Sequence, residues 1–176
     1  MPTSPARFRS SVRLKGFTLI ELVVGMLVIA IAMVLLTGVL FPQADRAAGT
    51  LHRMRSAELA HAILNEIWGK RYDENTASGG VPACDSPVGA ACTQATDFGP
   101  EAGEGRNDFD DVDDYNDLDE TAKMLNSSQT YADAYPNYRL SVVVALGAVA
   151  DTKLVTVDVT TPNGEVITYH AVRSNY

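Results

Sequence analysis

Residues 15–41 read KGFTLIELVVGMLVIAIAMVLLTGVLF and form the longest apolar run in the chain. Glu21 is the only charged residue among the 25 from Phe17 to Phe41. An α-helix of this length is roughly 37 Å long, which is enough to cross a hydrocarbon layer of about 30 Å with some tilt. The sequence therefore predicts one membrane-spanning helix over residues 17–41.

The residues before this run are strongly basic. They include four basic residues and no acidic one, namely Arg7, Arg9, Arg13 and Lys15. Basic residues that flank a membrane helix stay on the cytoplasmic side and so set the orientation of the helix. We therefore expect a single-pass protein with its N-terminus in the cytoplasm and residues 42–176 exported.

Glu21 is the unusual residue of the apolar run. A carboxylate in a membrane helix costs roughly 3 kcal/mol, so it usually has a partner or a task. One interpretation is structural, because Glu21 lies near the start of the helix and can reach back to the lipid headgroups. The other interpretation is functional, and it depends on the residues around Glu21.

These residues resemble the processing motif of type IV pilins and their pseudopilin relatives. Residues 16–21 read GFTLIE, with a basic residue before the glycine. The resemblance implies that a prepilin peptidase cuts between Gly16 and Phe17, which makes residues 1–16 a cleaved leader, and that the new amino group of Phe17 is methylated. It also implies that Glu21 guides assembly by pairing with the amino-terminal charge of a neighbouring subunit. Burial in a fibre would make the unpaired carboxylate costly.

Two other kinds of N-terminal segment share part of this pattern. A secretory signal peptide also has a basic start and an apolar middle, and Ala30-Ile31-Ala32 is similar to its cleavage site. However, the apolar core of a signal peptide is about 7–15 residues long, whereas this run continues to Phe41. A plain uncleaved anchor explains the length but leaves the GFTLIE string unexplained. The pilin interpretation accounts for both features.

The exported part is acidic and of single-domain size. The whole chain carries a formal net charge of −8, and removal of the leader's four positive charges leaves −12. About 135 residues follow the apolar run, which is a common length for one domain. Because nucleic-acid affinity depends mainly on neutralising phosphates, we expect no nucleic-acid partner.

Both cysteines, Cys84 and Cys92, lie in the exported part. Disulfides persist outside the cytoplasm, and a bridge that closes this short loop would stabilise the fold by about 2.5 kcal/mol. A metal-binding pair is the competing interpretation, but the chain has three histidines and none lies near the cysteines in sequence. The sequence favours a disulfide.

A second helical pattern follows Pro42. Apolar residues recur at steps of three and four: Ala47, Leu51, Met54, Ala57, Ala60, Leu64, Ile67 and Trp68. The pattern predicts one long helix from Phe17 to about Lys70, whose second half is amphipathic and packs this stripe on the domain, with Gly69 as the stop. Pro42 lacks an amide hydrogen, so we expect it to kink or interrupt the helix where it leaves the membrane.

The C-terminal third is rich in β-branched residues and predicts an antiparallel sheet. Strands are expected over residues 138–146, 154–160 and 165–173. The second strand should place Val155, Val157 and Val159 inward. The Asn163-Gly164 pair predicts a type I′ hairpin turn between the second and third strands. A long helix followed by such a sheet agrees with the α+β pilin fold that the resemblance implies.

Residues 72–138 lack a regular pattern and contain the most acidic part of the chain, residues 103–120, called the acidic segment below. Eight of its carboxylates lie between Asp108 and Glu120. Clustered carboxylates suit calcium. The candidate ligands are Asp110, Asp111, Asp113 and Asp114. No start position, however, gives the acidic spacing and the glycine of an EF-hand loop.

The simpler alternative is a solvated acidic loop held in place by apolar residues. Phe109, Val112, Tyr115 and Leu118 recur every three residues, which predicts a short helical turn packed against the sheet. Their burial would leave the carboxylates facing water, with no metal in place. We favour this alternative and expect no cofactor, with calcium as the one candidate.

Several further segments are similar to minor pilins of the mannose-sensitive haemagglutinin (MSHA) type IV pilus of Gram-negative bacteria. They are FPQAD at residues 41–45, RYDEN at 71–75, FGPEAGEGRNDFDDVDDYNDL at 98–118 and RSNY at 173–176. Glycine is expected where Asp117 stands, which leaves a tight turn there in question. The mid-chain position of Cys84 and Cys92 argues against a major subunit.

This resemblance implies a structural role, that of a minor pilin that takes part in pilus assembly by priming or capping the fibre. The implied partners are other pilin subunits, prepilin peptidase, the inner-membrane assembly platform and, before assembly, the membrane itself. The implied location is the inner membrane, with residues 42–176 as a periplasmic domain that later joins the extracellular pilus.

The sequence contains no pattern typical of an enzyme. It lacks a nucleophile motif, a phosphate-binding loop and zinc-ligand spacing, so we expect no catalytic residues. Two alternative functions remain open. A pseudopilin of type II secretion would use the same helix and processing, and a membrane-anchored module would use the acidic segment for calcium-dependent adhesion or ligand binding.

Overall fold

The structure is a computed structural model that describes residues 16–175. Over these residues it contains two helices, α1 (Leu19–Trp68) and α2 (Tyr131–Ala134), and three strands, β1 (Arg139–Leu146), β2 (Thr152–Thr160) and β3 (Val166–Ser174). The long helix followed by an antiparallel sheet is the α+β, pilin-like layout that the sequence predicts. The chain divides between Arg46 and Ala47 into two compact units. The basic residues of the predicted leader, and Tyr176, lie outside the described residues.

The first unit contains the apolar part of α1. Its large apolar side chains from Phe17 to Phe41 are exposed. Among the described residues, α1 is the one helix that is long and apolar enough, by length and composition, to cross a membrane. The Thr37 hydroxyl is satisfied within the helix, because it donates to the carbonyl of Met33 at 3.0 Å. This unit fits a membrane anchor.

The helix is continuous through position 42, so Pro42 does not interrupt it, whereas the kink expected as the alternative stays a prediction. A proline removes one main-chain hydrogen bond of a helix, whereas the bonds of the adjoining turns remain. The residues on both sides are mostly good helix formers, which keeps the backbone helical. The prediction of one long helix with an apolar and an amphipathic half is therefore confirmed.

The second half of α1 packs on the domain through one stripe of residues. The buried positions are Ser56, Leu59, Ala60, Ile63, Leu64 and Ile67. The predicted stripe is correct in its centre but wrong for Leu51 and Met54, which are 57% and 66% exposed. Ala47 and Trp68 are exposed as well. Two neighbouring apolar rows overlap on this helix, and periodicity alone does not say which row the sheet covers.

The end of α1 agrees with the prediction. The helix ends at Trp68, and the N–H groups of Gly69 and Lys70 donate to the carbonyls of Glu66 and Ile67 at 3.1 and 3.0 Å. These bonds span three residues instead of four, so the last turn tightens and the carbonyls at the helix end are satisfied. The helix therefore ends immediately before Gly69, as predicted.

The sheet has the order β1-β2-β3, and its neighbouring strands are antiparallel. Its inner face is formed by Leu140, Val142, Val144, Val155, Val157 and Val159. The register places Val142 opposite Val157 and Val144 opposite Val155, so β-branched side chains pair across the strands. The predicted strands, and the inward position of the three β2 valines, are confirmed.

The turn between β2 and β3 differs from the predicted type I′ turn. That turn requires a positive φ at both central residues, whereas Gly164 has a φ of 84° and Asn163 has no positive φ. The Gly164 N–H donates to the Thr161 carbonyl at 2.9 Å, and the Thr161 N–H donates to the Glu165 carbonyl at 2.8 Å. These bonds define a three-residue loop with a left-handed glycine. Pro162 explains the change, because its fixed φ suits the second position of a type I turn.

The acidic segment is held against the sheet as predicted. Its apolar residues Phe109, Val112, Tyr115 and Leu118 are all buried. Asp113–Tyr115 forms one 3-10 turn, and the Asp117 N–H then donates to the Val142 carbonyl at 3.0 Å. Asp117 has a φ of 63°, so the tight turn is present although aspartate stands where glycine is expected. Aspartate tolerates this left-handed conformation better than most residues.

Cys84 and Cys92 are joined by the disulfide that the sequence favours. Cys84 is buried, and the Asn175 side chain donates to its carbonyl at 2.9 Å. The Asn175 N–H also donates to the Asp151 carbonyl at 3.0 Å. The disulfide loop is thereby fastened to the last residues that the structure describes.

Candidate functional site

The predicted processing junction lies just before α1. Gly16 and Phe17 are exposed and precede the helix. Thr18 occupies the N-cap position, where its side-chain oxygen accepts a hydrogen bond from the Glu21 N–H at 3.3 Å. The bond between Gly16 and Phe17 is therefore in exposed, non-helical backbone.

Thr18 is a residue that the sequence analysis missed. The spacing Thr18-x-x-Glu21 is that of a capping box, and it marks the start of a helix. This cap places Glu21 in the first turn, where the positive end of the helix dipole favours a carboxylate. Glu21 is exposed, and the assembly role expected of it stays a prediction.

The candidate calcium ligands of the acidic segment do not share one site. Asp110 forms an ion pair with Arg71, whereas Asp113 forms an ion pair with Lys153. Asp111 forms a parallel β-bridge with Arg71. Two of the four candidates thus already have a cationic partner within the protein.

The prediction that the carboxylates face water is wrong for Asp111, Asp113 and Asp114, each of which is at most 2% exposed. Backbone donors replace water around two of them. Asp111 Oδ1 accepts the N–H of Asp113 at 2.9 Å and of Asp114 at 3.3 Å. Asp114 Oδ2 accepts the N–H of Asp110 at 2.7 Å and of Asp111 at 3.0 Å. The 3-10 turn is therefore built on buried carboxylates.

Lys153 is the centre of a buried charge network. Its Nζ lies 3.0 Å from Asp73 Oδ2 and also forms an ion pair with Asp113. It donates to the Tyr72 carbonyl at 2.8 Å and lies 4.6 and 4.8 Å from the ring centroids of Tyr72 and Phe98. Because the side chain is 1% exposed, these groups replace its hydration shell.

The sequence analysis missed Lys153 and Asp73, although one signal was present. Lys153 stands two residues before Val155 and so continues the inward row of β2. A lysine on the buried face of a strand requires a carboxylate partner, because charged residues are rarely buried unpaired. Its partner Asp73 lies 80 residues away in the sequence, and no local pattern marks it.

Arg106 connects the acidic segment to α1. It forms an ion pair with Glu66 and donates to the Tyr131 hydroxyl at 2.9 Å. Its guanidinium carbon lies 5.1 and 5.2 Å from the ring centroids of Phe109 and Tyr115, within the range of cation–π attraction. Lys153 of β2 thus links the acidic segment to the sheet, and Arg106 of the segment links it to α1.

Two groups of three carboxylates among the described residues have oxygen atoms close enough to hold a cation. One group is Glu74, Asp110 and Asp111, and the other is Glu101, Glu104 and Asp114; in each, the oxygens lie within 4.8 Å of one another. Arg71 pairs with both Glu74 and Asp110, so the first group is already partly neutralised. The sulfur atoms near Asp73 are joined in the disulfide and offer no thiolate.

Burial and like charge raise the pKa values of these carboxyl groups. Burial, a hydrogen bond with Glu101 and the charge of Asp114 raise the pKa of Glu104 to about 8. Burial and the neighbouring Asp113 and Asp114 carboxylates raise the pKa of Asp111 to about 9. Burial also raises the pKa of Asp114, although two backbone N–H donors oppose the rise. The segment therefore favours bound protons or cations more than an exposed acidic loop does.

The family model of the prokaryotic N-terminal methylation motif matches residues 13–37. The matched residues include the GFTLIE string and the first part of α1. The curated proteins and the solved structures gave no match. The motif supports a type IV pilin-like protein, a class of structural subunits that prepilin peptidase processes.

Proposed function

We propose that this protein is a minor pilin of an MSHA-type pilus, of the kind represented by MSHA biogenesis protein D, and that it primes or caps the fibre. The observation that carries the proposal is the N-terminal methylation motif at the start of an exposed apolar helix. The layout of one long helix and an antiparallel sheet supports it.

The exposed side chains of α1 indicate what the helix binds. Leu19 is 83% exposed, and large apolar side chains remain exposed as far as Phe41. Full burial of one such side chain contributes roughly 1.5–3 kcal/mol, so the helix is stable only in an apolar environment. The inner membrane supplies this environment before assembly, and the helices of other pilin subunits supply it in the fibre.

Glu21 supplies the specificity of this packing. After cleavage, the amino group of Phe17 becomes a positive charge near the same end of the helix as Glu21. In a fibre, Glu21 of one subunit pairs with the methylated amino group of its neighbour. A carboxylate left unpaired among apolar helices is strongly destabilising, so the pairing selects the register of the subunits.

Two of the segments that carry the MSHA resemblance, residues 71–75 and 98–118, contact one another in the domain. The Arg71 N–H of the RYDEN segment donates to the Asp110 carbonyl at 3.1 Å, and the two side chains form an ion pair. Asp73 of the same segment meets Asp113 through Lys153. In this protein, the segments that carry the resemblance are therefore joined by ion pairs within one domain.

In this proposal the precursor spans the inner membrane once, with its N-terminus in the cytoplasm and its domain in the periplasm. Prepilin peptidase removes residues 1–16, and the assembly platform then transfers the mature subunit to the pilus. The role requires no catalytic residue and no nucleic acid. A pseudopilin of type II secretion would follow the same steps into a different fibre.

Mass spectrometry of the mature N-terminus tests the processing step. In a strain that assembles the pilus, the wild-type protein should begin at an N-methylated Phe17. Gly16→Ala should keep the leader, whereas Thr18→Ser, a change of the same size that retains the cap, should be processed normally. A mature start after Ala32, or an intact Met1, would contradict the proposal.

Glu21→Val tests the assembly step. Insertion and cleavage should continue, because the variant helix is more apolar, but the amount of subunit in sheared pili should fall roughly tenfold or more, since breaking a buried pair costs about 3 kcal/mol. Ile20→Val is the matched control and should enter pili normally. Normal incorporation of Glu21→Val would leave Glu21 with only a structural role, and recovery of the protein in a secretion fibre would identify a pseudopilin.

A further inference from the structure

Glu101, Glu104 and Asp114 form a compact group of carboxylates in the domain. The Glu104 N–H donates to the Glu101 carbonyl at 3.0 Å, and the Glu101 N–H donates to Glu104 Oε2 at 3.1 Å, so these two residues share one tight turn. Asp114 belongs to the 3-10 turn of the acidic segment. One oxygen from each of the three carboxylates lies within 4.8 Å of the other two.

The Asp114 carboxylate has an oxygen without a partner. Its Oδ2 accepts two backbone N–H groups, but its Oδ1 is buried and has no hydrogen-bond donor. The whole residue is 1% exposed, and its carboxylate faces that of Glu104. An unsatisfied buried acceptor costs about 1–3 kcal/mol, more for a charged group, so this oxygen requires a hydrogen-bond donor or a cation.

None of the ion pairs formed by Arg53, Arg71, Arg106 and Lys153 includes one of the three carboxylates. The neighbouring group of Glu74 and Asp110 differs, since Arg71 pairs with both. Three like charges held this close repel one another unless a proton or a cation lies between them.

We propose that Glu101, Glu104 and Asp114 bind a calcium ion, which holds the turn of residues 101–104 to the acidic segment. The ligands are hard carboxylate oxygens, and two of them lie on an irregular loop that contains Gly103, at a φ of 96°. Calcium accepts such flexible oxygen sites, whereas magnesium requires a near-ideal octahedron and keeps most of its water. The proposal goes beyond the role in pilus assembly and does not depend on it.

Calcium titration of the full-length protein in detergent, after removal of divalent ions with a chelator, tests the site. Calorimetry should detect binding with a dissociation constant of roughly 10⁻⁴–10⁻³ M, the range of extracellular calcium sites. The melting temperature of the domain should rise with calcium concentration, because the ion binds only the folded state. Magnesium at the same concentration should give a clearly smaller rise.

Glu104→Gln is the decisive variant. It should abolish the calcium-dependent rise in melting temperature and weaken binding at least tenfold. Without calcium it should melt at or above the wild-type temperature, because the amide stays uncharged beside Glu101 and Asp114. A residue that merely supports the loop would lower the melting temperature instead. Glu101→Gln, at an exposed position, should also remove the calcium response and serves if the first variant does not fold.

Asp97→Asn is the matched control, since it removes an exposed carboxylate outside the group. It should retain the full calcium response. An absence of heat and of a thermal shift in the wild-type protein at 10 mM calcium, roughly tenfold above the weakest extracellular dissociation constants, would overturn the proposal. An undiminished calcium response in both Glu104→Gln and Glu101→Gln would do the same. An equal response to magnesium would overturn the choice of calcium.

Discussion

The apolar part of α1 and the acidic segment depart from the usual distribution of residues in opposite directions. From Phe17 to Phe41 the large apolar side chains are exposed, whereas Asp111, Asp113 and Asp114 are at most 2% exposed. Ordinary domains bury the first kind of residue and expose the second. Each region therefore needs partners other than water. The helix needs apolar groups, and the buried carboxylates need hydrogen-bond donors or cations.

The two regions obtain these partners from different sources. The helix needs an apolar partner from outside its own chain, which under the proposed function is the membrane or the fibre. The acidic segment uses the interior of its own domain, where backbone N–H groups and Lys153 replace water around the buried carboxylates. Changes in the acidic segment should therefore alter the stability of the domain, whereas changes in the apolar helix should alter assembly.

The largest effect is expected from Lys153→Met. It leaves Asp73 and Asp113 buried without their cation, which should lower the free energy of unfolding by about 3–5 kcal/mol. For a unit of this size the melting temperature should fall by roughly 10–20 °C. Near-UV circular dichroism of the full-length protein in detergent measures it, since all 7 tyrosines lie beyond residue 46.

Two further variants sharpen this result. Lys123→Met changes an exposed lysine and should shift the free energy of unfolding by no more than about 0.5 kcal/mol. Addition of Asp73→Asn and Asp113→Asn to Lys153→Met should recover part of the loss, because no unpaired charge remains. Wild-type melting of Lys153→Met would show that the acidic segment does not depend on an internal cation.

The next effect is expected from Cys84→Ser/Cys92→Ser, which removes a covalent link and no charge. Opening this loop should lower the free energy of unfolding by about 2.5 kcal/mol in the chain-entropy model. The same thermal measurement applies, and a reductant should bring the wild-type protein to the melting temperature of the variant. If a reductant also lowered the melting temperature of the variant, the effect of the reductant would not be due to this disulfide.

A smaller effect is expected from Thr130→Ala at the start of α2. Thr130 Oγ1 accepts the Asp133 N–H at 3.1 Å, and Asp133 Oδ2 accepts the Thr130 N–H at 2.9 Å. Loss of this cap should cost about 1 kcal/mol, whereas Thr130→Ser keeps the hydroxyl and should melt within a few degrees of the wild type. Equal melting of both variants would show that the helix does not depend on its cap.

The smallest effect on the domain is expected from Glu21→Val. Glu21 lies in the first compact unit, so the free energy of unfolding of the second unit should change by no more than about 0.5 kcal/mol. Near-UV circular dichroism measures this on the sample used for the assembly test. A clear loss of domain stability would mean that the two units are energetically coupled. Changes in the apolar helix would then alter the stability of the domain as well as assembly.

Much of the fold could be predicted because backbone periodicity controls side-chain direction over short distances. The alternation of β2 identified Val155, Val157 and Val159 as inward residues. The three-residue spacing identified the buried apolar residues of the acidic segment in the same way. The methylation motif was also recognisable from the sequence, because it is linear, whereas cleavage after Gly16 stays a prediction.

Other features depended on which surfaces meet. The helical pattern of α1 contained two overlapping apolar rows, and the sheet covers the row of Leu59 and Ile63 and not that of Leu51 and Met54. In the turn before β3, the Asn-Gly signal was overridden by Pro162, one residue earlier. Local preference sets the available conformations, and the contacts of the neighbouring elements choose among them.

The linear sequence was sufficient for the motif, the long helix, the strands and the disulfide, since each depends on residues close together in the chain. Only the tertiary structure showed that Asp113 and Asp73 flank one buried lysine, because these partners lie 40 and 80 residues from Lys153. The tertiary structure also showed that Asp114 has an oxygen atom without a hydrogen-bond partner, whereas Asp110 forms an ion pair with Arg71. The free energy of a charge depends on the groups around it in space, and residues distant in sequence supply those groups.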